Sequence, residues 1–242
     1  MRVYSLDTQL DKVTGVEKVM LDIHHAVKDE YDAKIVGTIP FDGIREEHHI
    51  QQDEYIKFIS AALLNVVLVI GVYFLDKKTR FKNLKRIYKE LIIGALFGCS
   101  AIYASLFGVK IWGATMNVRD ASPISAGLIF GPVAGIVSGF IGGGFRALTV
   151  LWNPDSAFTA VACSLSTFLA GVIAAVLRKF MFDDKKAGWA PAIGIALVLE
   201  VFHMLMIFFT NMDDAVRAFE FVKVCTLPMV LGNGLAVGIA VL

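Results

Sequence analysis

Seven stretches of this 242-residue chain are apolar and almost free of charge, and this pattern constrains the fold more than any motif does. They are Ile56–Leu75, Leu91–Val109, Ser122–Phe130, Val133–Val150, Phe158–Leu177, Pro191–Thr210 and Phe221–Leu242. A helix of about 18 or more apolar residues spans the ~30 Å hydrocarbon layer of a bilayer. Six of these stretches reach that length, so the expected fold is an all-α, polytopic transmembrane bundle of about six to seven helices. Pro132 has no amide to donate and fixes its own φ, so Gly131-Pro132 should break the chain into a hairpin.

Charge is concentrated where such a fold puts water. Only 19% of residues are charged, against 56% hydrophobic. Many of the charges fall in residues 1–55 and 76–90. A net charge of +1 gives nucleic acid no electrostatic footprint to bind. Two regions follow: an N-terminal segment over 1–55 and a transmembrane domain over 56–242. In the first, Val13, Val16, Met20, Ile23, Val27 and Tyr31 recur at helical spacing, with Thr14 and Glu17 as a capping box. Gly37, Pro40 and Gly43 then interrupt the chain.

Basic residues set the expected orientation. Lys77, Lys78, Arg80, Lys82, Lys85, Arg86 and Lys89 crowd one inter-helix segment, and Arg178, Lys179, Lys185 and Lys186 another. Cytoplasmic segments carry such excesses, and two segments on one side must be separated by an even number of crossings. The count is even only if residues 122–150 turn back at Gly131-Pro132. The expected location is a bacterial inner membrane, with residues 1–55 outside and the C-terminus cytoplasmic. Because Leu242 closes an apolar run, a cytoplasmic continuation is expected.

Polar residues inside apolar runs are the candidates for function. Arg119 and Arg146 stand at what should be the outer ends of membrane segments, and a guanidinium suits carboxylate or phosphate. The competing role for each is to anchor at the interface. Cys163 and Ser166 are three apart and share a helix face. Glu200 and His203, also three apart, lie in mid-span and read as a pocket-shaping pair. Asn233 and Pro228 occupy the last span, and Gly127, Gly131, Gly135 and Gly139 form a small-xxx-small series suited to close helix packing. Cys99, Cys163 and Cys225 have no CxxC spacing, and the pairs His24-His25 and His48-His49 lack accompanying carboxylates. Neither a metal nor a cofactor is expected, and no catalytic signature is present.

The run Asn117-Val-Arg-Asp-Ala-Ser-Pro-Ile-Ser-Ala-Gly-Leu-Ile-Phe-Gly-Pro-Val-Ala-Gly-Ile-Val-Ser-Gly-Phe-Ile-Gly-Gly-Gly-Phe-Arg146 resembles the membrane domain of LytS/YehU-type sensor histidine kinases, the five-transmembrane receptor or 5TMR-LYT family. Phe158–Thr167, Glu200–Met204 and Leu227–Asn233 resemble its later helices in order. The resemblance covers roughly 56–242 and implies a fold like that of the S components of vitamin transporters. It further implies a small carboxylate held by Arg119, Arg146, Cys163 and Ser166, with Asn117, Glu200, His203 and Asn233 as further pocket residues. Where the family has a short Gly-Gly turn, this chain carries a longer stretch containing Trp152, Asn153 and Pro154. The expected partners are that ligand, the lipid bilayer and a cytoplasmic effector in cis, with a homodimer left open. On this reading the chain itself is a sensor input domain and not an enzyme. A substrate-binding component of a solute transporter is the alternative.

Overall fold

The computed structural model describes residues 6–7, 36–37, 52–78, 80–111 and 114–242, and the chain divides into units at Met1–Gln51 and Gln52–Leu242. In the first unit two short strands, β1 (Leu6–Asp7) and β2 (Val36–Gly37), pair in parallel. The amphipathic stretch Val13–Tyr31, its capping box and both histidine pairs lie outside the described residues.

The second unit is a helical bundle. Its long helices are α1 (Gln52–Lys78), α2 (Arg86–Leu106), α4 (Pro132–Leu148), α5 (Ala157–Phe180), α6 (Trp189–Thr210) and α7 (Ala215–Val241). All six lie in segments long and apolar enough to cross a membrane. Large apolar side chains cover the outside: on α1 alone, Ile56, Ile59, Leu63, Val67, Ile70 and Phe74 are exposed. Arginine, aspartate, glutamate and histidine are meanwhile buried inside. This is the distribution expected of a chain whose solvent is lipid.

Between α2 and α4 the chain does something less regular. A small antiparallel hairpin, β3 (Val109–Ile111) with β4 (Ala114–Met116), leads into the short helix α3 (Ala121–Ser125). That helix widens into π-type turns over Ala126–Phe130, closed by the Gly131 N–H on the Ala126 carbonyl. Ten helical residues rise only about 15 Å, too little to cross alone. Extended and π-type backbone is tolerated at membrane depth only when protein surrounds it. Here residues 116–129 are all buried. The segment is therefore a buried, re-entrant arm: it runs through the interior of the bundle to Gly131, and α4 carries the chain back.

The turn is Gly131, with φ of 151°, a conformation open to glycine and strained for other residues. A Cβ there would collide with the Glu90 carboxylate. Glu90, buried on the first turns of α2, accepts the Val133 N–H at 2.9 Å and so caps α4, whose first residue is a proline. Arg86, one turn before Glu90, also pairs with Asp184. The turn thus sits at the end of the bundle where both basic segments meet. Leu128, at the close of the re-entrant helix, has its carbonyl satisfied by Arg178 Nη1 at 2.9 Å and the Ala187 N–H at 3.3 Å.

The four-spaced glycines do not line one helix face. Gly127 belongs to the re-entrant helix and Gly135 to α4, and the break at Gly131 turns them toward each other. A Cβ on Gly135 would lie 2.7 Å from the Gly127 Cα and 2.9 Å from the Gly171 carbonyl on α5. Backbone meets backbone at this three-way crossing.

Candidate functional site

The re-entrant helix brings its first residues to the centre of the bundle. Arg119, which the sequence suggests at an outer end, is fully buried, with none of its side chain exposed. The reason is the approach of β4: extended chain carries Asn117–Asp120 inward before the helix begins. Its Nε donates to Thr167 Oγ1 at 2.7 Å, Nη1 to Ser105 Oγ at 3.3 Å, and Nη2 to the Cys163 carbonyl at 3.3 Å. These contacts use three of the five N–H groups a guanidinium offers. Asn117 Oδ1 accepts the Arg119 backbone N–H at 3.0 Å and fixes the local turn.

Arg146, on the last turn of α4, is buried too. It donates from Nη1 to Thr149 Oγ1 at 2.5 Å, and from Nη2 to the Ser156 carbonyl at 3.0 Å and Thr159 Oγ1 at 2.8 Å. Two of these partners, Thr149 and Ser156, come from the connection between α4 and α5. Arg119 is held through Cys163 and Arg146 through Thr159, which are one turn apart on α5. The two guanidinium groups therefore stand along the same helix.

Below them lies a cluster that sequence reasoning saw only in part. Asp120 Oδ1 accepts Thr167 Oγ1 at 2.5 Å and stands 3.6 Å from Arg119 Nε. Asp120 Oδ2 accepts Ser166 Oγ at 3.2 Å and lies 3.1 Å from His203 Nδ1. Glu200 Oε1 lies 3.0 Å from the same nitrogen, while His203 Nε2 reaches Cys163 Sγ at 3.3 Å. Asn233 Oδ1 on α7 accepts the Ala121 N–H at 2.8 Å, at the start of the re-entrant helix.

All eight residues expected at the pocket are therefore buried, and the hydrogen bonds above link most of them into one network. The sequence reading missed Asp120 and Thr167. Asp120 did leave a signal: with Arg119 it supplies the only charges between Lys110 and Arg146. Pairing is what makes such charges tolerable in an apolar interior. Near Arg146 the surface opens into a cleft of about 420 Å³, lined by Pro154, Ala157, Phe158, Asn211, Asp213, Asp214 and Arg217. Pro154 and Ala157 flank Ser156, whose carbonyl holds Arg146.

With this geometry in place, comparison with known proteins is informative. The profile of the family described as 5TMR of 5TMR-LYT matches residues 72–242, well over half of the chain. This chain belongs to the 5TMR-LYT family. Curated 5TMR-LYT relatives include the sensor histidine kinase YpdA of Escherichia coli K12, 28% identical over 172 residues, covering 69% of this chain and 29% of YpdA. The sensor protein LytS of Streptococcus mutans is 26% identical over 190 residues, covering 70% of this chain and 31% of LytS. The E. coli sensor histidine kinase BtsS is 26% identical over 154 residues, covering 61% and 26% respectively. The chain thus spans less than a third of the length of each. No solved structure matches. Membership accounts for the order of the Asn117–Arg146, Phe158–Thr167 and Glu200–Met204 motifs. It describes a membrane domain found at the input end of sensor proteins.

Proposed function

We propose that this chain is the ligand-sensing input domain of a bacterial signalling receptor, and that it binds a small carboxylate between Arg119 and Arg146. The observation that carries this reading is the placement of two buried guanidinium groups against successive turns of α5. Two arginines are expensive in a lipid-facing bundle, and one neighbouring aspartate pairs only with Arg119. A carboxylate accepts bidentate hydrogen bonds from such groups and supplies the charge they lack. Cys163 and Ser166, on the same face of α5, are the further groups that would contact it.

Orientation follows from charge. The end that holds Gly131, Arg86, Lys89 and Arg178 is basic, which supports a cytoplasmic placement and puts the Arg146 end outside. The cleft near Arg146 then faces the periplasmic side, where a solute would arrive. A ligand drives signalling only through unequal affinity for two arrangements of the helices. The named relatives are sensor kinases, so a cytoplasmic effector in cis is the proposed recipient of that bias.

The test is calorimetric titration of the purified chain in nanodiscs with small monocarboxylates, including 2-oxo and 2-hydroxy acids. Arg119→Ala and Arg146→Ala should each abolish measurable binding while the protein still inserts. Wild-type affinity in both variants would remove the basis for the site. Uptake of the same acid into proteoliposomes would favour the transporter reading instead.

A further inference from the structure

The cluster around His203 has a feature that binding an anion does not explain. Two buried carboxylate oxygens, Glu200 Oε1 and Asp120 Oδ2, crowd a single imidazole nitrogen at 3.0 and 3.1 Å. That nitrogen carries at most one hydrogen, so it cannot donate a full bond to both. The second oxygen of Glu200, Oε2, is buried and has no hydrogen-bond partner among the described residues. Two carboxylates at this separation repel unless something positive lies between them.

We propose that Asp120, Glu200 and His203 form a binding site for one divalent transition-metal cation of the Zn2+ class. One donor atom from each residue lies within 4.8 Å of the others, and all three side chains are buried. Zinc takes imidazole nitrogen and carboxylate oxygen at about 2.0–2.2 Å. Tetrahedral ligands at that reach are about 3.3 Å apart, so the two nitrogen–oxygen spacings need open by only a few tenths of an ångström, and the two carboxylate oxygens already lie within 4.8 Å of each other. The mixed nitrogen and oxygen donors fit a first-row transition ion better than magnesium or calcium, which prefer oxygen alone. Glu200 and His203 form a Glu-x-x-His pair pointing into a helical bundle, the spacing by which other bundle proteins present metal ligands.

The surrounding groups are those a metal site needs. Metal-bound histidines donate their second ring N–H to a fixed acceptor. Here His203 Nε2 lies 3.3 Å from Cys163 Sγ, which leaves Nδ1 to coordinate. Asp120 is steadied through Oδ1 by Thr167 and Arg119, so that Oδ2 faces the cage. Ser166 also donates to that Oδ2 at 3.2 Å and would share it with the ion. The free Oε2 of Glu200 allows a second contact from the same carboxylate. Glu200 and Asp120 set two negative charges against the cation, with the Arg119 guanidinium 3.6 Å from the outer oxygen of Asp120.

The whole chain, purified in detergent after chelator treatment, is loaded with Zn2+ or Co2+, stripped of unbound ion and assayed for metal content. The expected result is about one ion per chain, with a Co2+ absorption spectrum of low coordination number. Glu200→Gln and His203→Ala should each weaken binding by about tenfold or more, while Arg146→Ala, outside the cage, retains the ion. Less than about 0.1 ion per folded wild-type chain would mean that the cage holds a proton only, and would overturn the proposal. Wild-type affinity in Glu200→Gln would place the ion on other groups and overturn it equally. Should His203→Ala fail to fold, Glu200→Gln decides, since it keeps the shape and removes one charge. The Arg146→Ala result also separates this site from the carboxylate site, because it removes an anion-binding group and no donor of the cage.

Discussion

Arg119 and Asp120 are neighbours in sequence and pair with each other at 3.6 Å, both buried at the centre of the bundle. Consecutive residues of regular secondary structure rarely do this; the turn before α3 makes it possible. Removing one partner leaves a buried charge without its counter-ion, which costs about 3–5 kcal/mol in comparable settings. Asp120→Asn and Arg119→Gln should therefore each lower the unfolding midpoint in mild detergent. The double variant should recover part of the loss, giving a coupling of about 1–3 kcal/mol in a double-mutant cycle. Strict additivity would show that the pair contributes nothing to folding.

Glu90 serves three groups at once: the Arg86 side chain, the Val133 N–H and the tight Gly131 turn. Glu90→Ala should destabilise the bundle by about 1–3 kcal/mol, because it leaves a helix-terminal donor unsatisfied in a half-buried setting. Glu90→Gln keeps an acceptor oxygen and should cost less. Tryptophan fluorescence during denaturant titration measures both. Equal stability of Glu90→Ala and wild type would show that the contact is incidental.

Asp184 lies outside the membrane spans, and its carboxyl is held down to about 2, chiefly by the hydrogen bond from Arg86 and then by that from Arg178. The unfolded chain, with an ordinary carboxyl near ~3.9, takes up the proton first as acid is added. The contribution of Asp184 is thus complete above about pH 4 and lost as pH falls toward about 2. Asp184→Asn should flatten the acid limb of stability in that window and weaken its salt dependence. The effect at neutral pH should be small, because the group is exposed and screened. Asparagine is the apt replacement, since Asp184 has a φ of 59° that asparagine also tolerates. An unchanged acid limb would detach Asp184 from the stability of this end.

Orientation has a direct readout. Alkaline phosphatase fused after Lys89 should be inactive, and a fusion near Asn153 active, if the basic end is cytoplasmic. The reverse pattern would invert the topology and place the Arg146 cleft inside the cell.

The helices, and which polar residues are buried among them, could largely be read from sequence because lipid imposes a simple rule: an apolar run spans, and a polar residue within it has a reason. That rule singled out Arg119, Arg146, Glu200 and His203. The depth of Arg119 could not be read, because it depends on β3 and β4 carrying extended chain inward, and neither strand has an alternating pattern long enough to notice. The Gly127–Gly139 series was legible as packing but not as a fold-back crossing, since spacing alone does not say which side of the Gly131 break each residue faces. Asp120 escaped for a different reason. Next to an arginine in sequence, it reads as a local counter-charge, and its contacts with Ser166 and His203 exist only once α5 and α6 have packed.

The bond from the Ala121 N–H to Asn233 ties the last helix to the re-entrant segment two residues beyond Arg119. Asn233 also reaches back to the Asn117 carbonyl at 3.4 Å, so a single amide clasps both sides of the arginine. Rolling α7 about its axis would unclasp both in a medium that offers no water in exchange, at a cost of several kcal/mol. A rigid roll of α7 would therefore disturb the backbone on either side of Arg119 together, so that helix and that arginine are mechanically coupled.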